Sequence, residues 1–333
     1  MSLVVRYPGR VCLLGEHCDW AGGASLTLPL PMGVEVTVEP AREGITLRSA
    51  LHGELLEGRW PIDAPAGLGQ GPLRFVPAAL AALRARGILP PPSLLWVHSD
   101  LPAGRGFSSS AAFNLAITDA LARAAGSALE ATDLADLAYE IERSQGVACG
   151  RLDPLACAAA SPTFFRWTGG EIALRPVRPP GPLHLVIGAF PAPRDTALIL
   201  RTLAEHVGDD LCAGGSSPAA QAAQLAITTF GQEAERGALA IELGQYAQLG
   251  ESMNRCQAAY QHAAAHLPAL RAPRLMATTA LLWERGAWGA KFSGAGGDGS
   301  VIALFPDALG ASEAALALEA DGLAAWAITA GAP

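Results

Sequence analysis

The sequence predicts an α+β fold in two domains. β-like runs and amphipathic helical stretches both occur, yet without the regular strand–helix alternation of a doubly wound sheet. The chain has 333 residues, half of them hydrophobic, which is enough to bury two cores. A Pro- and Gly-rich stretch at 165–182, with Pro179, Pro180 and Gly181 in succession, marks the boundary. Domains of 1–177 and 178–333 follow.

Along the chain, Leu3–Arg6, Val11–Leu14, Ala24–Leu30 and Val34–Glu39 read as strands, the last alternating apolar with polar residues. Phe75–Gly87 carries apolar residues at helical spacing and stops at glycine. Ser93–Ser99 is a buried strand, and the loop 100–106 leads into a helix over Ser109–Ala125. A second helix, Ala131–Ser144, starts at a Thr132–Asp133 cap. Leu183–Ala189 reads as a strand, 217–285 as almost wholly helical, 286–299 as a turn, Ser300–Phe305 as a strand and 311–320 as a helix. No repeat or low-complexity segment interrupts this order.

Charge and cysteine usage exclude several classes. The chain carries 23 basic and 31 acidic residues, a net charge of −8, the wrong sign for a phosphate-binding nucleic-acid surface. No stretch reaches the roughly 18 uncharged apolar residues of a membrane span, and the N-terminus lacks a secretory pattern. A cytoplasmic enzyme is the expectation. Cys12, Cys18, Cys149, Cys157, Cys212 and Cys256 form no CxxC, so reduced thiols are expected rather than a disulfide or zinc framework. His262 and His266 stand one turn apart, but alanine text around them favours an exposed helix face over a metal site. Lys291 is the only lysine. Arginine-rich codon usage explains that, and its place beside a glycine cluster is a hint.

Three glycine-rich sites carry candidate chemistry. In Leu101–Ala112, Gly104 and Gly106 allow close backbone approach, and Ser108, Ser109 and Ser110 open an alanine-rich helix that includes Ala111. The unpaired N–H groups of its first turn suit a phosphate, and a hydroxyl can reach a magnesium ion. The plainer reading is a loop with a serine cap. GxGxSSSAA after a buried strand favours the phosphate. Gly294, Gly296, Gly297 and Gly299 fit GxGxxG, but they precede a strand, the wrong order for a dinucleotide fold. Their number still says that backbone lies close to something bulky, either a loop or a ligand. In Pro8–Gly23, Arg10, Glu16, His17 and Asp19 follow an apolar strand. The acids either accept hydrogen bonds from a polyol or cap a helix. Glu142 and Asp153 flank a loop containing Gly150. Such a pair can divide labour between a cation and a hydroxyl proton, or be two solvated charges.

PGRVCLLGEHCDWAGG, LPAGRGFSSSAA and GAKFSGAGGDG, in this order, resemble the three motifs of the GHMP kinases, from Pro8 to about Phe305. That family joins a ribosomal-S5-like N-terminal domain to a ferredoxin-like C-terminal domain. The first motif is most similar to the galactokinase signature GEHxDxxGG, with Cys18 and Trp20 replacing its Thr and Tyr. CGRLDP resembles CGxxDQ, with Pro154 replacing Gln. LGESMNRCQ and GAKFSGAGG are closer to mevalonate kinases.

The resemblance implies ATP-dependent phosphorylation of a hydroxyl. It makes Asp153 the acceptor of the hydroxyl proton and Arg10 its partner. Glu16, His17, Asp19 and Gly150 then contact the sugar. Gly104, Gly106, Ser108, Ser109, Ser110, Ala111, Gly294, Gly296 and Gly297 surround ATP, and Ser110 and Glu142 hold Mg²⁺. A sugar 1-kinase of galactokinase type is the leading expectation, working as a monomer or homodimer without nucleic acid or membrane. A mevalonate-type kinase, a uronic-acid, pentose or heptose kinase, and a non-catalytic sugar sensor stay open.

Overall fold

The computed structural model describes residues 3–51, 54–102, 105–147, 149–159, 161–191, 195–208 and 217–331. Gly104 and Cys212 lie outside them. The chain runs β1 (Leu3–Leu14), α1 (Cys18–Ala21), β2 (Gly23–Pro40), β3 (Ile45–Leu51), β4 (Glu54–Trp60), α2 (Phe75–Ala85), β5 (Ser93–Ser99), α3 (Ser109–Ala124), α4 (Ala131–Ser144) and α5 (Leu152–Ala158). It continues with β6 (Thr163–Thr168), β7 (Glu171–Pro176), β8 (Leu183–Ala189), α6 (Thr196–Val207), α7 (Pro218–Glu242), α8 (Tyr246–His266) and α9 (Pro273–Glu284). It ends with β9 (Gly289–Phe292), β10 (Ser300–Phe305), α10 (Ala308–Ala320) and β11 (Ala324–Ala330).

Two compact units form: residues 1–10 with 29–160, and residues 11–28 with 161–333. A single cut at 177/178 does not describe them. The segment 11–28 packs with the second unit because Gly23–Thr27 of β2 pairs antiparallel with β6, which pairs with β7. The stretch expected as a boundary is therefore largely this hairpin, turning at Gly169 and Gly170.

In the first unit, Val34–Pro40 of β2 pairs antiparallel with β5, β5 pairs parallel with β3, and β3 pairs antiparallel with β4. Val34, Val36 and Val38 alternate into the core as a pleated strand requires. Helices α2 to α5 pack on one another around α3, whose residues Ala111–Ala122 are all buried. On α4 the apolar residues Leu134, Leu137 and Ile141 face in, matching helical periodicity. No side chain caps α4; Glu130 in extended conformation precedes it, so the expected Thr132–Asp133 cap does not form.

In the second unit, β11, β8, β10 and β9 form an antiparallel sheet in that order, with Ile302 opposite Ile187 and Lys291. Helix α7 packs along α8, while α10 covers β8 and β11. The region 217–285 holds three helices, and the last helix begins at Ala308, where Asp307 caps it by accepting from the Gly310 N–H at 2.8 Å. Among the described residues, no helix is long and apolar enough to cross a membrane. Cys12, Cys18, Cys157 and Cys256 are buried thiols and Cys149 is half-buried.

Candidate active site

In the first unit, Arg10 and Asp153 meet although they stand 143 residues apart. The Arg10 Nε donates to Asp153 Oδ1 at 3.0 Å, and its Nη2 donates to the same oxygen. Its Nη1 donates to the Gly106 carbonyl at 2.9 Å, and its backbone N–H donates to the Phe107 carbonyl at 3.1 Å. One buried guanidinium thus fixes both the acid and the glycine loop. Gly9 allows this approach, because a Cβ there would stand 2.7 Å from the Phe107 oxygen. Asp153 lies in the first turn of α5, where the helix dipole favours a carboxylate. Its side chain stays one-third exposed, so a substrate can reach it. The nearby Cys157 thiol is pushed up by burial and by the Asp153 charge.

The same loop delivers the serines. Gly106 adopts a positive φ of 83°, and Ser108 follows at φ 58°, the left-handed region, directly before α3. Ser108 makes no side-chain cap hydrogen bond, and its buried side chain lies against the Cys157 thiol. Ser109 is half-buried, Ser110 exposed and Ala111 buried. The first turn of α3 therefore offers N–H groups that no side chain caps, as an anion site requires.

Glu142, near the end of α4, is buried (1% exposed). Burial pushes its carboxyl up, a hydrogen bond from Ser110 opposes that, and the Asp153 charge raises it further. Its Oε1 has no hydrogen-bond partner. A buried carboxylate with a spare oxygen beside a serine hydroxyl is a suitable donor set for a hard divalent cation. Among the described residues no cluster of three or more His, Cys, Asp or Glu accompanies it, so further ligands would have to come from a bound phosphate or water. Asn114, one turn after Ser110 on α3, also hydrogen-bonds through its amide to the Glu142 carboxyl, which opposes the upward push, while its buried Oδ1 has no partner. The sequence reading missed Asn114; its only signal was a lone amide in an alanine-rich helix.

In the second unit, the loop Gly15–Asp19 is tightly built. Gly15 takes φ 87°, and a Cβ there would lie 2.1 Å from the Ala24 carbonyl. His17 is buried at φ 68°, with its ring edge-on to Trp20 at 5.9 Å, and Asp19 is half-buried at the start of α1. Glu16 is buried and accepts a hydrogen bond from Lys291 Nζ. That ammonium, fully enclosed, also donates to the Phe292 carbonyl at 2.6 Å and stands over the Phe292 ring. The single lysine thus anchors the first motif to the third. Its rarity was the signal in the sequence; its partner was not legible there.

Gly294, Gly296 and Gly297 form the turn between β9 and β10. The bulky neighbour is Tyr260, whose ring would stand 2.6 Å from a Cβ at Gly296 and whose hydroxyl accepts from the Gly297 N–H at 2.7 Å. Gly150 is half-buried between α4 and α5. His262 and His266 are exposed and touch edge to face.

Three family models match: the GHMP kinases N terminal domain over residues 74–161, the galactokinase galactose-binding signature over 2–40, and the GHMP kinases C terminal model over 238–323. The chain belongs to the GHMP kinases. A galactokinase of Mycobacterium tuberculosis is 32% identical over 72% of this chain. The match covers 65% of that relative's length. A mevalonate kinase of Aeropyrum pernix is 30% identical over 90% of this chain and 87% of its own. Lactococcus lactis galactokinase complexed with galactose has the same fold, with a TM-score of 0.81 and 19% identity over 98% of this chain and 93% of its own. The expected α+β, two-domain GHMP kinase fold is the one observed.

Proposed function

We propose that this chain is an ATP-dependent kinase that transfers the γ-phosphoryl group to a hydroxyl of a monosaccharide, acting as a sugar 1-kinase of galactokinase type. The observation that carries this reading is the Arg10 guanidinium, which grips Asp153 and the glycine loop together. Asp153 accepts the proton of the attacking hydroxyl. Arg10 orients that carboxylate and offsets negative charge gathering on the transferred group. The open first turn of α3, with Ser108, Ser109, Ser110 and the Gly106 loop, receives the nucleotide phosphates. Gly104, Gly294, Gly296 and Gly297 belong to the same nucleotide-binding set by motif. Glu16, His17, Asp19 and Gly150 recognise the sugar; the galactose-binding signature over 2–40 spans the first three and supports their part.

Ser110 and the buried, half-satisfied Glu142 fit a Mg²⁺ ion. When bound, that ion neutralises phosphate charge and lowers the cost of transfer. The remaining work is positioning and electrostatics, with no covalent intermediate. We place the enzyme in the cytoplasm as a monomer or homodimer acting on small molecules.

A mevalonate-type kinase is the second reading, favoured by the long match to the Aeropyrum pernix enzyme. Against it, Asp19 suits a polyhydroxylated substrate. ADP release measured with galactose, glucuronate, galacturonate, arabinose, a heptose phosphate and mevalonate separates the readings. Turnover with galactose supports the proposal. Turnover with mevalonate alone replaces it with the second reading, and no turnover with any of them overturns it in favour of a sugar sensor.

A further inference from the structure

Helix α3 carries Ser110, Asn114 and Thr118 at four-residue intervals, so their side chains share one face. Asn114 is 1% exposed and Thr118 is fully buried. The Asn114 amide N–H₂ reaches the Glu142 carboxyl, while the Asn114 Oδ1, the Thr118 Oγ1 and the Glu142 Oε1 lack a hydrogen-bond partner. Buried polar atoms are almost always satisfied, so three unsatisfied atoms along one short stretch mark a place built for something else. Their chemistry narrows the occupant. A carboxylate oxygen and an amide oxygen only accept, which rejects an anion. The Thr118 hydroxyl can hydrogen-bond a further water, and the amide N–H₂ holds the Glu142 carboxyl in place. Acceptors first and adaptable groups behind them suit a hydrated hard cation.

We propose that Asn114 is a further residue of the divalent-cation site, a positioning residue whose amide oxygen serves the cation's water shell beside Glu142, with Thr118 backing it. This rests on the kinase reading above. Ser110 and Glu142 bring the cation two ligands at most, and Asn114 decides how firmly its hydration shell is held. Asn114 touches no reacting atom.

Mn²⁺ binding followed by electron paramagnetic resonance, with and without a non-hydrolysable ATP analogue, tests the proposal on the full chain. In Asn114→Leu, Mn²⁺ affinity in the nucleotide complex falls about tenfold, the usual loss when an outer partner of a metal site is removed. Asn114→Asp restores or exceeds wild-type Mn²⁺ affinity, because it keeps the acceptor and adds charge. Thr118→Val gives a smaller loss. Nucleotide affinity without metal stays unchanged in all three. Wild-type affinity in Asn114→Leu overturns the proposal and leaves the kinase reading intact. If Asn114→Leu does not fold, Asn114→Asp decides: weaker Mn²⁺ binding than wild type overturns the proposal. If wild-type protein binds neither Mn²⁺ nor the analogue, the kinase reading itself fails.

Discussion

Replacing Lys291 with methionine keeps the apolar stem and deletes the charge. The Lys291 side chain is fully enclosed and that of Glu16 is 2% exposed, so solvent cannot take over for the missing partner. A buried ion pair broken from one side leaves an uncompensated charge and costs about 3–5 kcal/mol. The Phe292 carbonyl, which accepts from the ammonium at 2.6 Å, loses its donor as well, so the upper part of that range is expected. Glu16→Gln keeps shape and acceptor and falls in the lower part. The double variant Glu16→Gln/Lys291→Met removes both charges together. Its loss should be smaller than the sum of the singles by about 0.5–3 kcal/mol, the coupling of groups in contact. Urea unfolding of the four proteins, monitored by tryptophan fluorescence, gives each value. Single variants losing under about 1 kcal/mol, or strictly additive losses, would refute the claim that this pair holds the first motif to the third.

Three further outcomes follow from the same geometry. Asp153→Asn should keep ATP binding, measured by calorimetry, while kcat falls at least about 100-fold, the usual share of a general base; near-normal turnover removes Asp153 from that role. Because burial raises the Glu142 carboxyl, the metal-free protein binds a proton there more readily when folded than when unfolded. Its contribution to stability is therefore present below the ordinary carboxylate pKa of about 4.3 and is lost as pH rises. Glu142→Gln in EDTA should accordingly unfold at higher urea than wild type at neutral pH, with the difference closing in acid; equal midpoints at neutral pH would contradict this. Gly15→Ala places a Cβ 2.1 Å from the Ala24 carbonyl at φ 87°. Strain alone costs about 1–3 kcal/mol, read as a lower urea midpoint, and an unchanged midpoint would show that the loop can relax.

Much of this molecule was legible before any coordinates. Helix α2, strand β5 and helix α3 lie within one or two residues of their expected bounds, because apolar periodicity and terminal glycine act locally. The hairpin β3–β4 escaped notice because its strands mix charged with apolar residues, and only Ile45 and Leu47 show a clear buried alternation. Strand β11 escaped because alanine carries little β-propensity; pairing with β8 makes it a strand.

The motifs named their own residues: the acid at 153, the guanidinium at 10, the serines at 108–110 and the carboxylate at 142 stand in text whose type and order point to phosphoryl transfer. Contact partners lay beyond that text. That Arg10 reaches the Gly106 carbonyl as well as Asp153, that Lys291 closes on Glu16, and that the Asn114 amide oxygen is buried without a partner are long-range results. Sequence sets which groups exist and how each turn begins and ends, since those depend on neighbours a few residues away. Desolvation and hydrogen-bond satisfaction depend on what the rest of the chain brings alongside, and so only the folded molecule decides them.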